Sequence, residues 1–327
     1  SLVLSQKRFT YLPHESAQHW MVPLSLLVVG PGGAIRRMSI LMDGAAAQVP
    51  IGTDAVAYKL NAGQSGFYRT RYADPENLKR LAAMVQTKQL SPEDRWGLQE
   101  DLFAQVMSAD APLSDYLEFL AAYADEEAYL PLSAIAAHLA HARLVATPEQ
   151  GSRIAAWAQP WYTAVLERIG LDPRPGERQT TALLRDQLLF EAVQVGSHRA
   201  TEFALQRFGE LARGGSVHPD ILKSVLQTGA WNGAGRELEW LKHRFEESSS
   251  EHERLTVLSA IGCCRGRTEI EQALDWVLKK VPPRNQFVPI VSMAANPHAA
   301  PLLWEWYRAH LARLEQFHPM LYERVIA

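Results

Sequence analysis

Leu60-Asn61-Ala62-Gly63-Gln64-Ser65-Gly66-Phe67-Tyr68-Arg69-Thr70-Arg71-Tyr72 divides the sequence into two textures. Ahead of it run short apolar segments broken by glycine and proline, the pattern of strands and turns. Behind it run longer segments whose apolar residues recur every three or four positions, the pattern of helices. The stretch therefore reads as the joint between a β domain over residues 1–72 and an α domain over residues 73–327.

Toward the N-terminus, Leu2 to Phe9 reads as a strand, a turn-rich segment surrounds Pro13, and a second strand enters at Trp20. Gly30-Pro31-Gly32-Gly33 makes a turn before a strand from Ile35 to Met42. Asp43-Gly44 breaks the chain again, and Ala46 to Pro50 and Ala55 to Leu60 complete the series. Strands at such short spacing predict a small antiparallel β-sandwich.

Toward the C-terminus the punctuation is helical. Ser91-Pro92-Glu93-Asp94 offers a capping hydroxyl, a proline suited to the first helical position and acids in the first turn. Apolar stripes follow at Leu98, Leu102 and Val106; at Leu184, Leu188 and Ala192; at Ile270, Leu274, Val277 and Leu278; and at Leu303, Tyr307, Leu311 and Leu314. Breaks at Gly170 to Gly176, Gly214-Gly215, Gly229 to Gly235, Glu247 to Ser250, Gly262 to Gly266, Pro282-Pro283 and Pro297 leave room for about a dozen helices. The expected fold is mainly α: an irregular α-α superhelix of the HEAT or armadillo kind, preceded by the small sandwich. A compact helical bundle is the competing arrangement.

Composition excludes several functional classes. The chain has 327 residues, 47% of them hydrophobic, and a net charge of −3, with neither the basic stripe of a nucleic-acid binder nor a polybasic tail. The apolar run from Met21 to Val29 is interrupted by Pro23 and is far below the roughly 20 residues a membrane span needs. Cys263 and Cys264 are the only cysteines; neighbours bridge poorly, and a pair of reduced, buried thiols fits a cytoplasmic setting.

Motifs of chemistry mostly dissolve on inspection. His14-Glu15-Ser16-Ala17-Gln18-His19 places its histidines five apart between predicted strands, whereas a zinc protease needs His-Glu-x-x-His on one helical face. His138 and His141 share a helix but have no acidic or cysteine partner at a matching spacing. Gly63-Gln64-Ser65-Gly66 lacks the spacing of a nucleophile elbow, and no Lys-Ser/Thr follows Gly30 to Gly33 as a phosphate loop would require. Acidic runs at Asp125-Glu126-Glu127 and Glu246-Glu247 read as solvated helix ends, and most of the nine tryptophans as anchors between helices. No catalytic residue and no metal ligand is assigned, and the substrate-contacting residues stay unassigned.

The joint nevertheless carries a resemblance. Asn61, Gly66, Phe67, Tyr68 and Arg69, then Asn77-Leu78, then Leu90-Ser91-Pro92-Glu93-Asp94-Arg95, then Asp101-Leu102-Phe103-Ala104 resemble the C-terminal part of zinc aminopeptidases of the aminopeptidase N and puromycin-sensitive type. Gln6-Lys7-Arg8-Phe9, Trp20-Met21-Val22-Pro23-Leu24, Asn296-Pro297 and Leu303-Trp304-Glu305-Trp306 are similar to further patterns of that family, in the same order. The resemblance covers essentially the whole chain. Departures are local: Arg69-Thr70-Arg71-Tyr72 stands where the family has Arg-Val-Asn-Tyr, Arg284 to Phe287 match loosely, and Ala299 stands where glycine is usual.

The resemblance implies a β-sandwich followed by a helical domain that closes like a bowl over a separate catalytic domain. That domain would hold zinc through His-Glu-x-x-His and anchor the substrate's amino group with Gly-x-Met-Glu-Asn; neither motif occurs in this sequence. The chain is then expected to be the non-catalytic C-terminal portion of a peptidase, without a cofactor of its own. Its partners would be the N-terminal and catalytic domains of the same polypeptide and peptide substrates. Asn61, Gly66, Tyr68, Arg69, Arg95 and Asp101 form the family signature, read as residues that fix how the last strand delivers the chain into the helices. A stand-alone helical scaffold for protein or peptide binding is the alternative.

Overall fold

A computed structural model describes residues 1–12, 14 and 16–314, with side chains through 311. Its five strands form two antiparallel sheets. β1 (Leu2–Ser5) pairs with β4 (Ala46–Val49), and β2 (Val22–Val29) lies between β3 (Ile35–Met42) and β5 (Ala57–Leu60). Leu2 and Leu4 of β1, Val49 of β4, Leu24, Leu26 and Val28 of β2 and Met42 of β3 meet in one apolar cluster, so the two sheets face each other across a shared core. Strand β1 ends at Ser5, short of the expected Phe9, because the Gln6 side chain takes over: its amide donates to Trp20 O and Gly44 O and accepts from Trp20 N. The Gly30 to Gly33 segment is a tight turn joining β2 to β3, closed by Gly33 N donating to Gly30 O at 3.2 Å.

Thirteen helices follow among the described residues. In the first three, α1 (Pro75–Gln86) is capped by Asp74 and α2 (Pro92–Met107) by Ser91, each with proline at its start, while α3 (Leu113–Leu120) begins after Pro112. α4 (Tyr129–Val145) and α5 (Pro148–Ile169) come next, the latter started by a capping box of Thr147 and Gln150 and ended by Gly170. Then come α6 (Gln179–Gln194), α7 (His198–Ala212), α8 (Pro219–Asn232), α9 (Arg236–Glu247), α10 (Glu251–Ile261), α11 (Arg267–Lys280), α12 (Phe287–Ala294) and α13 (Ala300–Leu314). The protein is mainly helical with a small antiparallel β part at its N-terminal end. No described helix is long and apolar enough to cross a membrane.

The chain divides into two compact units, Ser1–Ile135 and Ala136–Ala327. Helices α1 to α3 thus belong with the strands, although the sequence texture changes at Tyr72. In the second unit α6, α8, α10 and α12 pack one on the next, while α5, α7 and α9 each pack on the helix that follows them. This is an array of stacked helix pairs. Leu184, Leu188, Ala192, Ile270, Leu274, Val277 and Leu278 are buried as their spacing requires; Leu311 is largely exposed, and the side chain of Leu314 lies outside the described residues.

Gly229 corrects one expected break, for it sits inside α8. A Cβ there would lie 2.4 Å from the Phe208 ring, so glycine lets α7 approach α8 closely. Tryptophans divide as well: Trp161, Trp231 and Trp276 are buried anchors, whereas Trp20 and Trp304 are exposed.

Candidate functional site

The signature residues come together in the first unit as a polar joint. Asn61 adopts a left-handed backbone (φ 55°), a conformation asparagine tolerates better than most residues. Its side chain then works as a clamp. The carbonyl accepts from Gly66 N at 2.8 Å, and the amide donates to Gly66 O at 3.0 Å and Tyr68 O at 3.3 Å. Gly66 is required because a Cβ there would strike the Tyr68 ring at 2.2 Å. From Phe67 to Arg71 exposure alternates: Tyr68 and Thr70 are turned inward, while Phe67, Arg69 and Arg71 face solvent.

The inward residues are held by the helices and by the sheet. Tyr68 Oη accepts from Ser25 N at 3.3 Å, and Tyr72 Oη accepts from Leu60 N at 2.9 Å. Asp101 on α2 accepts from both the backbone and the hydroxyl of Thr70, at 3.0 and 2.6 Å. The family's valine would offer no such hydroxyl, so the Thr70 departure adds a bond. Burial nevertheless dominates at Asp101 and pushes its carboxyl up to about 6, against the pull of Thr70, Lys59 and Arg69.

Two buried ion pairs beneath the joint escaped sequence reading, because one member of each pair looks like ordinary surface charge. Lys59 on β5 lies 2.8 Å from Asp94 of α2, with both side chains almost wholly buried. Its ammonium also donates to Leu60 O and Asn61 O, each at 3.0 Å, so its three protons are all used. Burial lowers the lysine pKa, and Asp94 opposes that shift. Asp94 Oδ1 further accepts from Gly63 N at 2.7 Å, which ties the start of α2 to the turn after β5. Arg95 makes a forked pair with Glu126 at 2.6 and 2.8 Å and donates to Leu90 O; Tyr123 Oη donates to Arg95 O. Glu126 is therefore a buried ion-pair partner, not the solvated acid expected of its run, whereas its neighbours Asp125 and Glu127 are exposed.

Asn77 of α1 completes the joint. Its amide exchanges both bonds with Tyr58, accepting from the backbone N and donating to the backbone O at 2.9 Å each, as a neighbouring strand would on the free edge of β5. These ties explain why α1 to α3 share a compact unit with the sandwich. The turn at Gly63 to Gly66 carries no nucleophile geometry; Ser65 Oγ donates to Ala62 O at 3.3 Å.

In the second unit, Asn296 anchors the loop after α12 by donating to Gly262 O at 3.2 Å and Cys264 O at 2.7 Å while accepting from His298 N. His298 meets the edge of Trp231, and the Arg265 guanidinium lies 5.2 Å from that ring's centre. Glu191 on α6 has a buried Oε2 with no hydrogen-bond partner among the described residues. Desolvation raises its carboxyl to about 7, although the charges of Arg143 and Lys223 pull the other way. Cys263 and Cys264 are buried and unbridged, and burial pushes the Cys264 thiol up to about 12. A groove of about 260 Å³ between α11 and α13 is lined by Leu274, Leu278, Trp306, His310 and acids; of these, Glu271 and Asp275 pair with Arg267 and Lys279.

Metal sites do not assemble from the sequence candidates. Residues 14 and 16–19 are non-helical, and Glu15 lies outside the described residues. Among the described residues no three His, Cys, Asp or Glu side chains converge as a metal would require.

Residues 57–327 match the family described as the ERAP1-like C-terminal domain. The chain belongs to that family. This ERAP1-like chain is also similar to Aminopeptidase M1-A of Oryza sativa subsp. japonica, with 26% identity over 94% of this chain and 36% of that protein. Puromycin-sensitive aminopeptidase of Caenorhabditis elegans is 21% identical over 95% of this chain and 34% of its own length. Tricorn protease-interacting factor F2 of Thermoplasma acidophilum is 24% identical over 90% and 34%. The ERAP1-like chain thus spans about a third of the length of the curated relatives it matches.

Proposed function

We propose that this chain is the non-catalytic C-terminal portion of a zinc metalloaminopeptidase that removes N-terminal residues from peptides. The observation that carries this reading is the coverage: proteins named aminopeptidases match more than nine-tenths of this chain with only about a third of their own length. In this reading the remaining part of the polypeptide supplies the zinc and the general base. The helix pairs of the second unit would cap the reaction chamber, limit which peptides fit, and contact them along one face of the array.

Two measurements test the proposal. The reading frame upstream of Ser1 should encode His-Glu-x-x-His about one domain's length earlier, roughly 150 to 250 residues. A start codon close to Ser1 would count for the helical scaffold instead. The purified chain should release no chromophore from an aminoacyl p-nitroanilide. Zinc-dependent turnover by this chain alone would sink the division of labour.

A further inference from the structure

Phe67 has a relative exposure of 110%, yet it stands in one of the most tightly bonded stretches of the molecule. A mobile loop could fold a phenylalanine back onto the surface. Here that is blocked on both sides: Asn61 clamps Gly66 and Tyr68 by three hydrogen bonds, and Thr70 is fixed by Asp101. The ring is presented to solvent by a rigid frame.

Its surroundings form a strip. Arg69 and Arg71, two and four positions on, are exposed as well. The Arg69 guanidinium sits 4.6 Å from the centre of the Phe9 ring, whose edge meets the exposed Tyr11 at 5.3 Å. Aromatic rings interleaved with arginine on a rigid support are the composition of a protein interface core.

We propose that this strip, Phe67 with Arg69 over Phe9, docks against a part of the same polypeptide outside these 327 residues, through an apolar pocket for Phe67 and a carboxylate for Arg69. Two observations select this occupant. The relatives carry about two-thirds of their length beyond the matched segment, so a large covalently linked surface is at hand. A second copy of the chain is a poor fit, because a two-fold contact centred on Phe67 would bring the two Arg69 guanidiniums together, Arg71 being already paired with Asp110 at 3.7 Å. The inference rests on the reading that this chain is one portion of a longer protein.

The test uses the full-length polypeptide with Phe67→p-benzoylphenylalanine, irradiated and mapped by mass spectrometry. The expected product is an intramolecular crosslink to a residue outside the 327. Crosslinks confined to these 327 residues, crosslinks between two copies or to added peptide, or a frame that ends at this chain would each overturn the proposal. Separately, Phe67→Ser and Arg69→Glu should each speed limited proteolysis between the docked parts on the order of tenfold, with Phe67→Leu close to the parent. Unchanged proteolysis in both variants would also overturn it. A full-length protein that forms the crosslink but lacks aminopeptidase activity supports this surface and removes the proposed function. An active aminopeptidase without the crosslink does the reverse.

Discussion

The joint of the first unit is held by buried charge, whereas the stack around α8 in the second is held by interleaved apolar side chains, the pair of that unit's buried Arg185 with Glu177 lying between α6 and the loop before it. Around Leu60 to Tyr72 the chain direction is set by Lys59–Asp94, Arg95–Glu126, Asp101–Thr70 and the two-way bonds of Asn77 and Asn61. Around α8 the contacts are Val225, Leu226 and Trp231 against neighbouring helices, with glycine at the closest approach. Directional bonds define one geometry and fail sharply when a partner is lost. Apolar packing tolerates substitution more gradually, at a cost set by volume. A strand-to-helix joint needs a defined exit angle, whereas a helix stack needs complementary ridges.

Breaking the joint should give the largest effect. Lys59→Met leaves Asp94 buried without its cation, and should destabilise the first unit by about 3–5 kcal/mol, as one-sided removal of a buried partner does. Hydrogen exchange measured peptide by peptide should place the loss in α1, α2 and β5. An equal loss spread over α6 to α10 would contradict the contrast.

Gly229→Ala probes the second unit by overpacking. The Phe208 ring must retreat from the new methyl, and a cost of about 1–3 kcal/mol in urea unfolding is expected. Phe208→Leu in the same chain should recover part of it. A cost as large as that of Lys59→Met would show the helix stack to be no more tolerant than the joint.

Asp101 probes the joint by pH. Its folded pKa, about 6, lies above the ordinary carboxylate value, so between about pH 4 and 6 the folded chain holds a proton that the unfolded chain does not. The stability contributed by this group therefore rises as pH falls from 6 toward 4. Parent minus Asp101→Asn stability should increase by about 1 kcal/mol or more over that window. A flat difference would mean that the carboxyl stays charged in the joint.

Glu191→Gln should be the one change that stabilises. Removing a charge whose buried oxygen lacks a partner should stabilise the second unit above pH 7 by on the order of 1–3 kcal/mol, with no gain at pH 5 where the acid is already neutral. Destabilisation at both pH values would instead identify Glu191 as a paired structural group.

Much of the fold was legible because local rules govern it. Ser91 caps α2 as its hydroxyl and the following proline suggest, the Ile35–Met42 strand runs between its two glycine-rich breaks, and the buried stripes of α6 and α11 follow their period. Gly229 misled because a glycine permits either a turn or a close contact, and only the position of Phe208 decides which. Glu126 misled because a run of acids is usually solvated; its partner Arg95 lies 31 residues away and its burial depends on the packing of both. Phe67 belongs to the recurring motif, but its exposure depends on how the Asn61 clamp holds the residues on either side of it.

By itself the sequence determined the order of strands and helices, the family signature and the place of the joint. Those follow from periodicity, caps and turn residues acting over a few positions. Only the tertiary structure decided that Leu60 to Tyr72 is a hydrogen-bonded joint assigning α1 to α3 to the strand-bearing unit, that Lys59 and Glu126 are buried partners, and that Phe67 points outward. Charge and aromatic character are local properties, but whether water reaches them is set by residues distant in the chain.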